Sequence, residues 1–373
     1  MYKYKKYSKL VVSVLIFLFL VHFFSWNTYT KFVFPKEYGI GDLGRTSYQL
    51  NTLLPRLNIS ELEGKSIALE EWSNLNVDLL TVGDSFSNGG GGGKNSYYQS
   101  YLSLENDFTV FNLNKFTSSS NIIESIISLV NSGLLDNWNT KYLVLESVER
   151  LAVNRFSQKV NVNVSSNTNV FKFDDSSFYI PSNYIELKDE FLVHDKQSSF
   201  LDFNKYDINI INNLNLNALK YNILYHFDPR AYTSSVYKLY LDQDLFTSKD
   251  KRSLLFFKDD IKSLPLSNFN NIKKLNDNLN KLSELLSSKG ITLYFMPVVD
   301  KYNLYSKYIV NNPYPKSTFF EELRKLPKNY EFIDTKAILT QELEKGVKDL
   351  YYPDDTHWSY KASEAIFKKV KFE

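Results

Sequence analysis

The sequence predicts an α/β fold: a parallel central sheet with helices on both faces, a three-layer α/β/α sandwich. It stands behind an N-terminal transmembrane helix and is interrupted by a mid-chain insertion. Three observations predict this. Short β-branched or Leu-rich runs alternate with stretches of helical spacing, first between residues 76 and 154 and again after about 270. Leu10 to Trp26 is almost wholly apolar and follows a lysine cluster. Residues 155 to about 265 are rich in Asn, Ser, Asp and aromatics and keep no steady period.

The N-terminus carries Lys3, Lys5, Lys6 and Lys9 before the apolar run. That asymmetry predicts a cytoplasmic N-terminus. No small-residue cleavage site follows, because Phe24-Ser25-Trp26-Asn27 is bulky. The run is therefore expected to stay as a single-pass anchor in the cell inner membrane, with the rest of the chain periplasmic. Residues 1–26 form the basic tail and anchor, and 27–75 a stalk and domain entry with Pro35, Gly39, Gly41, Gly44 and Pro55. Residues 76–373 form the main domain, with the insertion at about 155–265.

Within that domain, Val77 to Val82 is a buried strand ended by Gly83. Ser96 to Asn106 has helical spacing, Phe108 to Leu113 is a second strand, and Ile122 to Gly133 an amphipathic helix. Tyr142 to Leu145 is a third strand. After the insertion come a helix over Asn271 to Lys289 and a strand over Ile291 to Val299. A helix over Phe319 to Lys325, a strand over Tyr330 to Ile333, a helix over Gln341 to Gly346 and a closing helix over Ser359 to Val370 follow.

Composition narrows the function. The 27 Tyr, 28 Phe and 43% hydrophobic content exclude disorder. A formal net charge of +2, with no basic block beyond the N-terminus, argues against nucleic-acid binding. The chain has no cysteine, which excludes disulfides, thiolate catalysis and Cys-based zinc sites. Gly89 to Gly93 followed by Lys94 invites a phosphate-loop reading. Asn88 stands where the first glycine belongs and Asn95 where Ser or Thr belongs, so a flexible loop beside Ser85 is the better reading.

Two strings carry chemistry. Gly83-Asp84-Ser85 follows a buried strand, so a tight turn would present the Ser85 hydroxyl with its own N–H beside it. Asp84 could brace that turn through main-chain N–H groups. Near the C-terminus, Asp354-Asp355-Thr356-His357-Trp358 precedes a helix. Asp355 or Asp354 could hold His357 Nδ1, leaving Nε2 to take the serine proton, and Trp358 could pack the loop on the core. Of the other three histidines, His22 lies in the anchor and His194 and His226 in the irregular middle. Arg150 and Tyr302 follow predicted strands, at the rim where open α/β sheets bind ligands, and are candidate substrate contacts.

At these residues the chain resembles the SGNH hydrolase superfamily. More narrowly it is similar to the SGNH-like domain of alginate O-acetylation proteins of AlgJ/AlgX type and of the related DHHW proteins. The resemblance rests on Gly83 to Asn88, on Glu149-Arg150 and on Asp355 to Trp358. It covers roughly residues 76–154 and 270–372. It implies an SGNH-hydrolase-like fold and a triad of Ser85, His357 and Asp355. Ordinary SGNH spacing would select Asp354 instead. Asn112 and Asn114 are the oxyanion candidates by position. The resemblance implies a membrane-anchored O-acetyltransferase acting on a cell-envelope or exported polysaccharide. No cofactor is expected. The acetyl group would come from a partner or an acetylated carrier, the partner being a polytopic membrane O-acyltransferase. An acetylesterase with the same acyl-enzyme is the alternative. A non-catalytic glycan-binding or scaffold protein is a third reading, which wins if Ser85 and His357 lie far apart.

Overall fold

The computed structural model describes residues 2–33, 41–50, 65–68, 76–92, 96–113, 115–116, 121–165, 171–172, 177–180 and 208–373. Its main sheet has seven strands: β1 (Lys65–Ala68), β2 (Leu79–Val82), β3 (Val110–Leu113), β4 (Tyr142–Val148), β5 (Ser177–Ile180), β6 (Thr292–Val298) and β7 (Glu331–Phe332). The spatial order is β1-β5-β3-β2-β4-β6-β7. From β3 to β7 every pairing is parallel, whereas β5 runs antiparallel to β3, and β1 antiparallel to β5.

Why these runs form the sheet is visible in their burial. All four residues of β2 and of β3 are buried, as are six of seven in β4 and in β6. Strands covered on both faces read as continuous apolar runs, and these do. The predicted parallel α/β core is therefore present, with most boundaries shifted by a residue or two; the helix expected over Gln341 to Gly346 instead runs Thr335–Glu344. The third strand is three residues longer than its YLVL signature, because Glu146 and Ser147 are buried polar residues that a hydrophobicity scan passes over.

Chain order among the five parallel strands is second, first, third, fourth, fifth. The order reverses between β2 and β4, which places the ligand crevice at their carboxyl ends. The same reversal puts crossover helices on opposite faces. Tyr98–Asn106 packs with Tyr360–Lys369, which packs with Thr335–Glu344. Phe269–Ser287 packs with Ile122–Asn131, Glu149–Phe156 and Phe319–Arg324. Side chains of Asn121, Asn268, Asp334 and Ser359 cap four of these helices by accepting from backbone N–H groups.

The mid-chain region is partly built into this body. It contributes β5 to the sheet, a helix at Leu214–Leu224, and an antiparallel ribbon of Val236–Tyr240 with Ser253–Phe257. The N-terminal helix α1 (Tyr2–Ser25) belongs to a 30-residue candidate span, Tyr4–Val33, long and apolar enough to cross a membrane.

The carboxyl terminus closes over the amino ends of the central strands. The Phe372 ring meets those of Tyr294, Tyr142 and Phe108 at 4.5, 5.5 and 5.8 Å. Each aromatic pair contributes about 0.5–1.5 kcal/mol beyond area burial. Phe372→Ala is expected to cost about 1–2 kcal/mol, the ring being only partly buried. Thermal unfolding of the purified variant checks this; an unchanged Tm would remove the closing role of this residue.

Candidate active site

The site begins where β2 ends. Gly83 gives way to a turn, Asp84 to Gly91, that carries Ser85 at its solvent side. A Cβ on Gly83 would stand 2.1 Å from Ser87 Oγ and 2.2 Å from Glu146 Oε2, so only glycine lets the turn sit on β4. Asp84 braces the turn as its chemistry suggests. Its carboxylate accepts from Phe86 N–H (3.2 Å), Val148 N–H (3.0 Å) and the Arg155 guanidinium (2.5 Å). Burial works against ionisation, but these donors outweigh it and hold the Asp84 carboxyl below its usual pKa.

Beneath the turn lies Glu146, 1% exposed. Its Oε2 accepts from Asp84 N–H and the Ser87 hydroxyl, both at 2.8 Å. Burial, reinforced by the neighbouring Asp84 charge, pushes the Glu146 carboxyl well above the ordinary range. The turn thus rests on a carboxyl held toward its neutral form.

The second half of the site is a loop closed by a bridge between Tyr351 and Trp358. His357 Nδ1 lies 2.7 Å from Asp355 Oδ1, and Nε2 lies 2.7 Å from Ser85 Oγ. Asp355 Oδ1 also accepts from His357 N–H at 3.0 Å, so one carboxylate oxygen fixes both ring and main chain. Phe86, the residue after the serine, meets the His357 ring at 4.7 Å and the Trp358 ring at 5.2 Å. Those contacts weld the two motifs into one packing unit. On the other side, a Cβ at Gly90 would fall 2.3 Å from His357 Cδ2, so the glycine run presses bare main chain against the imidazole.

Three residues that sequence reasoning missed shape the site: Lys301 and Asp42 at this loop, and Arg155 at the serine turn. Lys301, buried, donates its ammonium to the carbonyls of Tyr352 (2.7 Å), Pro353 (3.0 Å) and Asp355 (2.9 Å). Burial lowers its pKa to about 8, against the pull of Asp354, Asp355, Asp42 and Asp260. Asp42 comes from the stretch read as stalk and domain entry. Its carboxylate accepts from Thr356 N–H at 2.8 Å, and its own N–H donates to Asp355 Oδ2 at 3.3 Å. Burial, then the Asp355 charge, raises the Asp42 carboxyl to about 6. Arg155 bridges Asp84 and Ser147, the latter at 2.7 Å. The Asp42–Thr356 bond spans 314 residues, and no local pattern announces such a pairing.

The remaining candidates sit elsewhere. Asp354 turns away from the imidazole and accepts from Gly41 N–H at 2.8 Å. Asn112 does not reach the reacting side: it is fully buried, donating to Ser87 O (3.0 Å) and accepting from Thr81 Oγ1 (2.8 Å). Asn114 lies outside the described residues. Arg150 is turned inward by carboxylates, 2.6 Å from Asp300 and 3.4 Å from Asp260. The Tyr302 hydroxyl donates to the carbonyls of Tyr314 and Pro315 and is buried, a loop anchor rather than a rim group. Glu149 is likewise structural, accepting from Asn303, Ser317 and Asp300 N–H.

Asp42, Asp355 and His357 bring one possible ligand atom each within 4.8 Å of one another. A cation there would displace the Asp355–His357 hydrogen bond, so the set suits proton transfer better than metal binding.

Two predictions follow from this geometry. Lys301→Met removes the donor shared by three carbonyls in a buried setting. Stability should fall by about 3 kcal/mol or more, read by thermal unfolding; a variant of wild-type stability would refute the organising role. Asp42→Asn keeps an acceptor for Thr356 N–H and removes a carboxylate whose folded pKa, about 6, exceeds its usual 3.8. A raised folded pKa means that stability is held below the unfolded value and lost as pH rises through the folded one. The variant should therefore gain on wild type above pH 6 and match it below pH 4. Tm profiles across pH check the sign.

Comparison with known proteins gives one family match. No curated protein matches the chain, and no solved structure does. Residues 251–371 match the family described as SGNH hydrolase-like domain, acetyltransferase AlgX. That span includes β6, β7, Lys301, Asp355 and His357; the Ser85 turn precedes it. Residues 251–371 are thus similar to the SGNH hydrolase-like domain of that acetyltransferase family, and of the three motifs behind the resemblance this span holds Asp355 to Trp358.

Proposed function

We propose that the protein is a membrane-anchored O-acetyltransferase that modifies an extracytoplasmic polysaccharide through an acetyl-Ser85 intermediate. The observation that carries this reading is the chain Ser85 Oγ–His357 Nε2 and His357 Nδ1–Asp355, both links 2.7 Å, with Ser85 exposed. Ser85 Oγ attacks the carbonyl carbon of an acetyl ester while His357 Nε2 takes the hydroxyl proton. The Ser85 N–H stands beside the position of the developing oxyanion. Collapse expels the donor alkoxide, which receives the proton from His357 and leaves acetyl on Ser85. A sugar hydroxyl then repeats the attack, with His357 again as base and Asp355 stabilising the imidazolium. The role needs no cofactor. The acetyl donor is carried by an acetylated carrier or a polytopic membrane O-acyltransferase partner, and α1 would hold the site beside it.

Transfer to water, an acetylesterase, is a second reading favoured by the open position of Ser85, which leaves water free access. A scaffold with the same fold is less well supported, because the serine and imidazole are hydrogen-bonded rather than apart.

The test uses the full chain in lipid nanodiscs with a chromogenic acetyl ester. Ser85→Ala and His357→Ala should each lower kcat by about 10⁴-fold or more, and Asp355→Asn by about 10³- to 10⁴-fold. Asp354→Asn should stay within about tenfold of wild type, since its partner is a backbone N–H. Turnover indifferent to Ser85→Ala would sink the acyl-enzyme. Added glycan acceptors then divide the two readings: acetyl found on the glycan supports transfer, and acetate alone supports the esterase.

A further inference from the structure

The inward face of helix Leu214–Leu224 is mixed: Ala218, Leu214 and Tyr221 pack with Val33 and Tyr48, and two asparagines bond neighbouring segments. Asn215 accepts from the Thr30 hydroxyl at 2.6 Å, donates to Ile210 O at 2.6 Å and meets His22 Nδ1 at 3.1 Å. Asn222, one face further along, donates to Tyr48 O at 3.1 Å. Its outward side carries an apolar stripe flanked by exposed Asn217 and His226: Leu216 and Ile223 are each 51% exposed, and Phe227 just beyond the helix is 74% exposed. With Lys220 between them these residues recur at steps of four, three and four, one stripe along the helix. Ile211, before the first turn, is 62% exposed and extends the stripe. An apolar stripe of this kind calls for a cover.

The position of α1 says what the cover is. The Ser25 hydroxyl donates to Asn215 O at 2.6 Å, and Trp26 Nε1 donates to Ile208 O at 2.9 Å. The start of Leu214–Leu224 is therefore level with His22 to Thr30. The apolar run Leu10 to Trp26 is about 25 Å long at 1.5 Å per residue, against a hydrocarbon core of about 30 Å. The exposed apolar side chains of α1 stop at Phe24, and Ser25 and Trp26 beyond it are buried against protein, which sets the headgroup boundary near that residue. Whatever is bonded to that end lies at the same depth.

We propose that Ile211, Leu216, Ile223 and Phe227 lie in the extracytoplasmic interface of the bilayer that α1 crosses. Lys220 reaches the lipid phosphates from the same face. The protein then holds the membrane at two points, and the body cannot swing freely about its anchor. This rests on the reading of α1 as a membrane span.

The chain has no cysteine, so single labels can be placed without background. Full-length Leu216→Cys, Ile223→Cys and Phe227→Cys, each carrying a bimane, are reconstituted in phosphatidylcholine–phosphatidylglycerol vesicles. Leu18→Cys in α1 and exposed Phe269→Cys on a helix of the sheet body are the controls. Quenching by lipids spin-labelled near the headgroup should be at least threefold stronger at the three stripe sites than at Phe269→Cys, with Leu18→Cys quenched by deep labels. Stripe labels as open to an aqueous quencher as Phe269→Cys, with Leu18→Cys still deep, would overturn the interfacial contact alone. Stripe labels shielded from both quenchers would overturn it in favour of a protein cover. A water-accessible Leu18→Cys would overturn the membrane span and the proposal with it.

Discussion

The ammonium of Lys301 is the interaction on which the rest of the site depends. It is buried and gives its hydrogens to three carbonyls of one loop. Those carbonyls fix where Asp355 and His357 stand. Around it are Asp42, Asp260, Asp354 and Asp355, whose charges favour the cation that burial disfavours. The balance is a narrow one: a buried charge is tolerated only when paired and hydrogen-bonded. The carboxylates that flank the imidazole are therefore also what keeps its supporting loop in place. Removing the ammonium would leave three carbonyls of the loop without their shared donor.

Sheet topology supplies the second requirement. Ser85 and His357 are 272 residues apart in sequence, yet the reversal of strand order brings the end of β2 to the crevice. The loop after β7 closes over it. Glu146 and Glu149, at the end of β4 and the start of the helix after it, are not solvent-facing acids. One supports the serine turn and the other ties down the chain after β6. Glu146 Oε2 beneath the turn is taken up by Asp84 N–H and the Ser87 hydroxyl, and Ser85 is the exposed residue of the turn.

Much of this was legible in the sequence, and the failures have a common cause. Strands β2, β3, β4 and β6 were legible because burial on both faces forces unbroken apolar runs. The long helix before β6 was legible because Ile272, Leu275, Leu279, Leu282 and Leu286 share one face. Ser85, Asp355 and His357 stood out because glycine, acid and imidazole fell at element ends. Arg150 and Tyr302 were placed at the right edge of the sheet, but which way a side chain turns depends on distant partners. Asp260 and Asp300 draw Arg150 inward; the Tyr314 and Pro315 carbonyls hold Tyr302. Asp42 and Lys301 were illegible for the same reason: their roles exist only after separate segments have met, 314 residues apart for Asp42 and Thr356 and 51 to 54 for Lys301 and its carbonyls.

The seating of Gly90 has a consequence for how the imidazole behaves in time. The ring is bounded by Phe86 on one side, by bare main chain on another and by Asp355 at Nδ1. Rotating the ring would break the Asp355 bond and push against Phe86 or the Gly90 main chain. The proposed base is thus aligned with Ser85 without a ligand in place. On that reading, selectivity for donor and acceptor would arise outside these three residues, in what is allowed to reach Ser85.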